Sequence, residues 1–313
     1  MSHVHGVDGV DGAHGVHGPL RLVVNPTAGA RSARTLPTLT GALDALGVTY
    51  DVVATSCPRD AEELTTSALA EGVRFLAAVG GDGTLHGVVN GVVAAGARDA
   101  VVGIVPAGTG SDFARTLGLH LPPERAARHL ASAATMPVDV GLATFPEQGG
   151  HTRSFINCAQ VGYGAEVVRL AERWPRRLGR FRYLFAAWGG MRAVTRQRTR
   201  IGLAHAAADV ELAELVVANG QFFGAGMRVA PRAVPDDGRF NVLAFTGDRG
   251  QVFRLTTSMY QGRHLPDPHI REWQSPVVDV EAGQGFRVEA DGELLGHTPV
   301  RFSLLERRLT VKI

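Results

Sequence analysis

The sequence predicts an α/β protein in two parts: an N-terminal parallel sheet with alternating helices, then a mostly antiparallel, β-rich C-terminal domain. Three observations predict it. Four short apolar runs, Leu20–Val24, Tyr50–Ala54, Phe75–Val79 and Val101–Val105, alternate with stretches whose apolar residues recur at helical spacing. Each run ends in small or polar turn residues: Asn25–Gly29, Thr55-Ser56, Gly80–Thr84 and Gly108–Ser111. From about Pro137 the strands lengthen and follow one another with few helices between them. Strands alternating with helices imply right-handed crossovers, and ligands of such sheets sit beyond the carboxyl ends of the strands.

At 313 residues the chain is long enough for two cores, and 45% hydrophobic content fits a globular protein. Residues 1–18 repeat Gly, His, Val and Asp and carry too little apolar surface to offset ordering entropy, so a disordered tail is expected. His3, His5, His14 and His17 offer only an adventitious metal site there. The α/β domain then spans 19–136 and the β-rich domain 137–305.

In the first domain, Leu20–Val24 ends at Asn25-Pro26, with Thr27, Ala28 and Gly29 completing the turn. The helix after it is marked by Leu36, Leu39, Ala42, Leu43 and Leu46. Tyr50–Ala54 follows, and Asp60 is the expected N-cap of a helix through Ala70, with Glu62 and Glu63 in its first turn. The third run meets Gly80-Gly81-Asp82-Gly83-Thr84, after which Leu85, Val88, Val89, Val92 and Val93 mark a helix. A strand ending in a glycine turn that opens a helix handles phosphate: backbone N–H groups can approach an anion, and the helix dipole favours it. Asp82 repels bare phosphate, so it is suited to a magnesium ion or a hydroxyl. A plain tight turn would need only one or two glycines. The fourth run closes on Pro106-Ala107-Gly108-Thr109-Gly110, and Ser111-Asp112 caps another helix.

The second domain reads as strands Val138–Thr144, Ser154–Val161, Ala208–Ala218, Arg239–Ala244, Val277–Glu281, Gly285–Ala290, Val300–Leu305 and Leu309–Ile313. Helices are expected at Ala165–Trp174, Phe181–Thr195 and Gln251–Tyr260. Residues 173–200 hold nine arginines and no acid, interleaved with Trp174, Phe181, Tyr183, Phe185 and Trp188. Such a stretch suits an anionic membrane surface, with guanidinium groups on headgroup phosphates; an amphipathic helix with a solvated basic face is the other reading.

Composition excludes several classes. The net charge of +2 demands no nucleic acid, and no nucleic-acid reading motif is present. Lys312 is the only lysine, so a Gly-Lys-Ser/Thr P-loop cannot form. Cys57 and Cys158 are isolated, which suits free thiols in a reducing cytoplasm. No run of eighteen apolar residues predicts a membrane span, and the N-terminus lacks the order of a signal peptide.

Two acidic turns remain. Asp236-Asp237-Gly238 is either a generic turn or an oxygen-rich loop suited to a hard cation. Asp291-Gly292-Glu293 closes a strand; alone it reads as a hairpin turn. Together with the glycine loop it supplies what a kinase needs, a carboxylate for the attacking hydroxyl and donors for the phosphates. Two residues apart on a strand end, Asp291 and Glu293 would face the same side.

In order, these stretches resemble the diacylglycerol-kinase-type lipid kinases, a group that includes sphingosine and ceramide kinases and shares its GGDGT pentad with NAD kinases. The resemblance runs from Leu20 to Ile313. It implies an NAD-kinase-like first domain that binds ATP through Asn25, Pro26, Thr27, Ala28, Gly29, Thr55, Gly80, Gly81, Asp82, Gly83, Thr84, Leu85, His86, Gly108 and Thr109. It implies a structural Mg2+ at Asp237 with the carbonyls of Val234 and Arg239, and catalytic roles for Asp82, Asp291 and Glu293. It further implies that 306–313 complete the first domain, and that a peripheral cytoplasmic enzyme phosphorylates a lipid hydroxyl at an anionic membrane; a homodimer is allowed. The chain departs from the pattern at His86-Gly87, where relatives carry Asn-Glu, and at Ser111, where they carry Asn. An NAD-kinase-like enzyme and a non-catalytic lipid or nucleotide binder are the rival readings.

Overall fold

A computed structural model describes residues 17–26, 30–57, 59–108, 110–174, 186, 189–190 and 195–313. The expected tail through residue 16 and most of the expected Phe181–Thr195 helix lie outside them. The chain groups into two units: one holds residues up to 108, 117–137 and 309–313, the other 109–116 and 138–308. Segment 109–116, expected in the first domain, thus groups with the second. The reason is local bonding: the Gln221 N–H donates to Thr116 Oγ1 (3.0 Å), and the Ala225 N–H donates to Asp112 Oδ2 (2.8 Å).

The first unit alternates β1 (Leu20–Val24), α1 (Ala30–Ala45), β2 (Tyr50–Ala54), α2 (Asp60–Ala70), β3 (Phe75–Gly80), α3 (Asp82–Ala94) and β4 (Val101–Pro106). Its sheet runs β2-β1-β3-β4, all parallel, with Leu20 opposite Tyr50 on one side and Phe75 on the other. β3 and β4 are buried along their whole length, as central strands of a parallel sheet covered on both faces must be. Leu22, Leu39, Leu43, Phe75, Val79 and Leu130 belong to the core on one face.

α2 and α3 pack closely because α3 carries Gly87 and Gly91 where they meet. A Cβ at Gly87 would lie 2.7 Å from Ala61 Cβ, and one at Gly91 2.7 Å from Thr65 Cβ. A helix the sequence did not announce, α5 (Pro123–Ala131), also belongs to this unit; its N-terminal Pro, with Ala126, Ala127 and Leu130 buried, is its signature.

The second unit begins with α4 (Asp112–Thr116) and continues through β5 (Thr135–Thr144), whose first residues belong to unit one. After it come β6 (Thr152–Phe155), β7 (Cys158–Gly162), α6 (Tyr163–Ala171), β8 (Gln197–Leu203), β9 (Ala206–Leu212) and β10 (Glu214–Ala218). The remainder is β11 (Phe240–Phe245), α7 (Arg249–Tyr260), β12 (Ile270–Ser275), β13 (Val277–Ala282), β14 (Arg287–Ala290), β15 (Glu293–His297) and β16 (Val300–Lys312). One sheet runs β12-β11-β10-β7-β14-β15, antiparallel throughout; β16, β13, β8 and β9 pair antiparallel in another. Phe155, Phe240 and Phe302 lock the core of this unit, with Phe155 stacked on Phe240 and edge-on to Phe302.

Several expected strands divide or join. Ala208–Ala218 is two strands in different sheets, because Ala213 donates to Phe245 O (2.9 Å) and turns the chain from one sheet to the other. Ser154–Val161 breaks at Ile156-Asn157, whose N–H groups go to a side chain instead of a ladder. Val300–Leu305 and Leu309–Ile313 are one strand, β16, carried through its charged middle by Arg307 at φ 46°. The end of β16 pairs parallel with β4, Thr310 opposite Val101; residues 309–313 group with the first unit, while 306–308 of the expected 306–313 group with the second. Among the described residues no helix is long and apolar enough to cross a membrane.

Candidate active site

The strand order of the first unit reverses between β1 and β3, and the exits of its strands meet there. Asn25 N–H donates to Val79 O (3.0 Å) and Thr55 N–H to Val24 O (2.8 Å). Ala107 and Gly108 both donate to Gly80 O, at 2.8 and 3.0 Å. All four exits thereby gather at one switch point, where open α/β sheets bind ligands.

The glycines there serve different purposes. A Cβ on Gly80 would lie 2.2 Å from Thr84 Oγ1, and one on Gly108 2.5 Å from Gly81 Cα, so these two let the turns touch. Around Gly83 nothing lies within 4 Å of a would-be Cβ. The fold does not require glycine at 83, which is exposed and whose Cβ side opens to solvent. Asp82 opens α3, and the N-cap Gly81 provides no side chain to bond the first-turn amides. A helix N-terminus without a side-chain cap, flanked by bare space, suits phosphate oxygens.

Other expected nucleotide residues fall out differently. Leu85 and His86 are buried within α3, and Asn90 Nδ2 lies 3.2 Å from His86 Nε2. Position 87 faces α2, so the missing carboxylate of the family pattern would have pointed into a helix contact in this chain. Asp60 is not a cap but the first residue of α2; its Oδ2 accepts from the N–H groups of Ser56 (2.6 Å) and Cys57 (2.9 Å), pinning the loop after Thr55. Hydrogen bonds from the Cys57 thiol and Ser56 hold its carboxyl far below the usual range. Thr27, Ala28, Gly29 and Thr109 lie outside the described residues.

In the second unit the DGE motif is a two-residue hairpin turn between β14 and β15, with Ala290 opposite Glu293. Asp291 (φ 49°) and Gly292 (φ 86°) both take left-handed backbone, so the expectation that Asp291 and Glu293 share one side of a strand is wrong. Asp291 folds back instead. Its carboxylate accepts from the N–H groups of Ile156 (2.8 Å), Asn157 (3.1 Å) and Cys158 (3.0 Å), the break between β6 and β7. Glu293, partly exposed, pairs with Arg153 at 2.9 Å. The structure therefore separates one acid that fixes the turn from one that reaches solvent.

Asp237 lies in a tight loop and accepts from Arg239 N–H (3.0 Å). Burial raises its carboxyl, and the nearby charges of Asp139 and Asp236 add to that, against the Arg239 N–H. Asp139, fully buried, accepts from Arg307 N–H (2.7 Å) and Gly238 N–H (2.8 Å). Among the described residues no three His, Cys, Asp or Glu side chains gather as a metal cluster. An ion here would rest on the Asp237 carboxylate and the carbonyls of Val234 and Arg239; that all-oxygen set, in a loop with excess negative charge, fits magnesium.

Sequence reasoning passed over Asp139 and Arg153 as site-forming residues, and read Asp112 as part of the cap after the fourth strand. Asp139 was visible as a lone acid inside an apolar strand. Asp112 is buried, which raises its carboxyl against the Ala225 N–H bond and Arg115; Arg153 had no local signal. Arg176, Arg177, Arg180 and Arg182 lie outside the described residues.

Residues 19–143 match the diacylglycerol kinase catalytic domain, and 157–313 match the YegS C-terminal NAD kinase beta sandwich-like domain. The chain is 31% identical over 255 residues to a protein of Pseudomonas aeruginosa (strain UCBPP-PA14) named "Probable lipid kinase YegS-like", covering 81% of each. It is 29% identical over 259 residues to a diacylglycerol kinase of Mycobacterium tuberculosis, covering 80% of this chain and 81% of that one. A crystal structure of a diacylglycerol kinase from Bacillus anthracis shares the fold, with TM-score 0.69 at 20% identity over 94% of this chain and 96% of that one.

Proposed function

The chain belongs to the lipid kinase family of YegS-like proteins and diacylglycerol kinases, and we propose that it transfers the γ-phosphate of ATP to the hydroxyl of a diacylglycerol-like or sphingoid lipid. The observation that carries this reading is the empty space at Gly83, set at an uncapped helix end and at the sheet's switch point. Gly80, Gly81, Gly83, Thr84 and Gly108, with Asn25 and Thr55, would cradle the nucleotide and its phosphates. Asp82, at the head of α3, would orient the incoming hydroxyl or the counter-ion of the phosphates.

Glu293 would accept the proton of the lipid hydroxyl as its oxygen bonds to the γ-phosphorus. The bond from that phosphorus to the β–γ bridging oxygen breaks, and ADP leaves. Arg153 orients Glu293, and Asp291 holds the turn that presents it. Asp237 and the carbonyls of Val234 and Arg239 would hold a magnesium ion, which would supply positive charge to an acidic loop. The arginine-rich stretch 173–200 would bring this peripheral, cytoplasmic enzyme to an anionic membrane where its lipid resides.

Incubation with γ-labelled ATP and a panel of diacylglycerol, sphingoid base and ceramide tests the reading, with NAD as a control acceptor. Label is expected in a lipid, and Asp82→Asn is expected to abolish its transfer while the fold persists. Label in NAD alone would replace this reading with the NAD-kinase-like one. A folded Asp82→Asn variant at near-normal rate would remove the glycine loop from the active site.

A further inference from the structure

We infer that the second unit holds a binding pocket for a free α-amino acid with an apolar side chain, set where the β8–β9 turn, the β12–β13 corner and the loop after Asp237 meet. The cavity there measures about 430 Å³, inside the range of roughly 300–1,000 Å³ found for small-molecule sites. Leu203, Trp273 and Pro276 form its apolar walls. His205, Arg239, Gln274 and Glu306 bring an imidazole, a guanidinium, an amide and a carboxylate to the same space.

Hydrogen bonds fix the frame of this cavity. Leu203 is opposite Ala206 across a two-residue turn, whose Ala204 N–H donates to Ser275 Oγ (3.0 Å). Ser275 Oγ donates in turn to Val277 O (2.6 Å), and Pro276 O accepts from the Leu304 N–H (3.0 Å). The turn, the corner and β16 are thereby tied together. On the other side, buried Asp139 accepts from both the Gly238 and the Arg307 N–H groups, which brings Glu306 beside the loop. A Cβ at Gly238 (φ 73°) would lie 3.6 Å from Glu306 Cδ. Trp273, opposite Val242 in its sheet, packs on the core of the unit, with Arg271 over its ring at 5.0 Å. A cavity framed in this way exists before a ligand arrives, and that lowers the ordering cost of binding.

The polar side chains of the pocket are not used by the protein itself. Among the described residues, His205, Arg239, Gln274 and Glu306 make no side-chain hydrogen bond, and neither Arg239 nor Glu306 enters an ion pair. Asp237 accepts from the Arg239 N–H, not from its guanidinium. Opposite charges that line one cavity without satisfying each other suit a ligand that carries both. A bare anion would be repelled by Glu306 and a bare cation by Arg239, while a neutral polyol would answer neither charge. An α-amino acid sets its carboxylate on the forked donors of Arg239 and its ammonium on the Glu306 carboxylate. Its apolar side chain then leaves water for Leu203, Trp273 and Pro276. An ethanolamine phosphate headgroup has the two charges but nothing to place on the apolar walls.

Calorimetric titration of the full chain with L-leucine tests the inference, beside isocaproate and isoamylamine, which each lack one of its charges, and glycerophosphoethanolamine as the headgroup probe. Leucine should bind. Loss of either charge should weaken binding roughly tenfold, the lower end for a charge-assisted hydrogen bond, because Arg239 and Glu306 both reach solvent. Glu306→Gln should erase the difference between leucine and isocaproate, and Arg239→Gln that between leucine and isoamylamine. Thermal unfolding checks that both variants fold, and the wild-type series of analogues decides the matter if one does not. The indole N–H resonance of Trp273, assigned with Trp273→Phe, should move as leucine is added. No leucine binding at millimolar concentration, equal binding of either analogue, tighter binding of glycerophosphoethanolamine than of leucine, or an unmoved Trp273 resonance overturns the inference.

Discussion

Gly83 and Gly80 stand three residues apart and answer to different masters. Nothing in the protein occupies the space beside Gly83, and glycine inside a helix costs roughly 0.5–1 kcal/mol relative to alanine. Gly83→Ala is therefore expected to match or exceed wild type in thermal stability while raising KM for ATP. Gly80→Ala, pushed against Thr84, should lower stability itself. Thermal unfolding beside ATP kinetics checks both, and unchanged KM in a folded Gly83→Ala would leave the empty space unexplained.

Lys312, the sole lysine, is a second case at this scale. It is fully buried, donates to Ser132 O and lies 5.9 Å over the Phe75 ring, and burial lowers its pKa. Between that lowered value and the ordinary one, the unfolded chain binds more protons than the folded one, so wild-type stability rises with pH there. Lys312→Met should gain Tm relative to wild type at pH 7, and the gain should shrink by pH 10. A gain independent of pH would mean that the ammonium is not strained by its site.

At the level of elements, the β14–β15 hairpin joins structure to chemistry. Asp291→Ala leaves three N–H groups without their acceptor, each costing about 1–3 kcal/mol where water cannot replace it. Large destabilisation is expected there. Glu293→Gln should fold normally and lose roughly 10²–10⁴-fold in kcat with ATP affinity hardly altered, the range for a general base. Full activity in Glu293→Gln would transfer the role of base to another residue.

The Asp237 loop makes a parallel case. With Asp139 and Asp236 adding to a raised carboxyl, magnesium should increase Tm in wild type and leave Asp237→Ala unmoved. A magnesium-dependent Tm that persists in Asp237→Ala would place the ion elsewhere.

For the molecule as a whole, the proposed docking on a lipid surface makes a demand on charge. Net charge is only +2, so attraction to an anionic membrane would have to come from a local concentration of charge, and the sequence holds nine arginines and no acid in 173–200. Reversing Arg176, Arg177, Arg180 and Arg182 is expected to weaken binding to anionic vesicles and raise KM for vesicle-borne lipid, with ATP affinity unchanged. Wild-type binding should fade with salt, since exposed charges are screened over about 10 Å at ~0.1 M. Vesicle flotation measures it, and salt-insensitive binding would point to apolar docking.

The sequence by itself determined the parallel sheet, the glycine loop and the order of motifs, because these are local. Apolar runs of strand length, helical periodicity and glycine turns are legible over a few residues, and the loop lies wholly within one β–turn–α unit. The tertiary structure alone decided what depends on residues far apart in the chain. The DGE turn turned back onto the β6–β7 break because Asp291 found amides more than 130 positions earlier. Ala208–Ala218 divided between sheets because its partners β8 and β11 lie on different layers of pairing. Position 87 acquired its meaning from Ala61 on a neighbouring helix. A carboxylate's charge, proton and reach are set by what surrounds it after the chain has closed, and no window of sequence contains those neighbours.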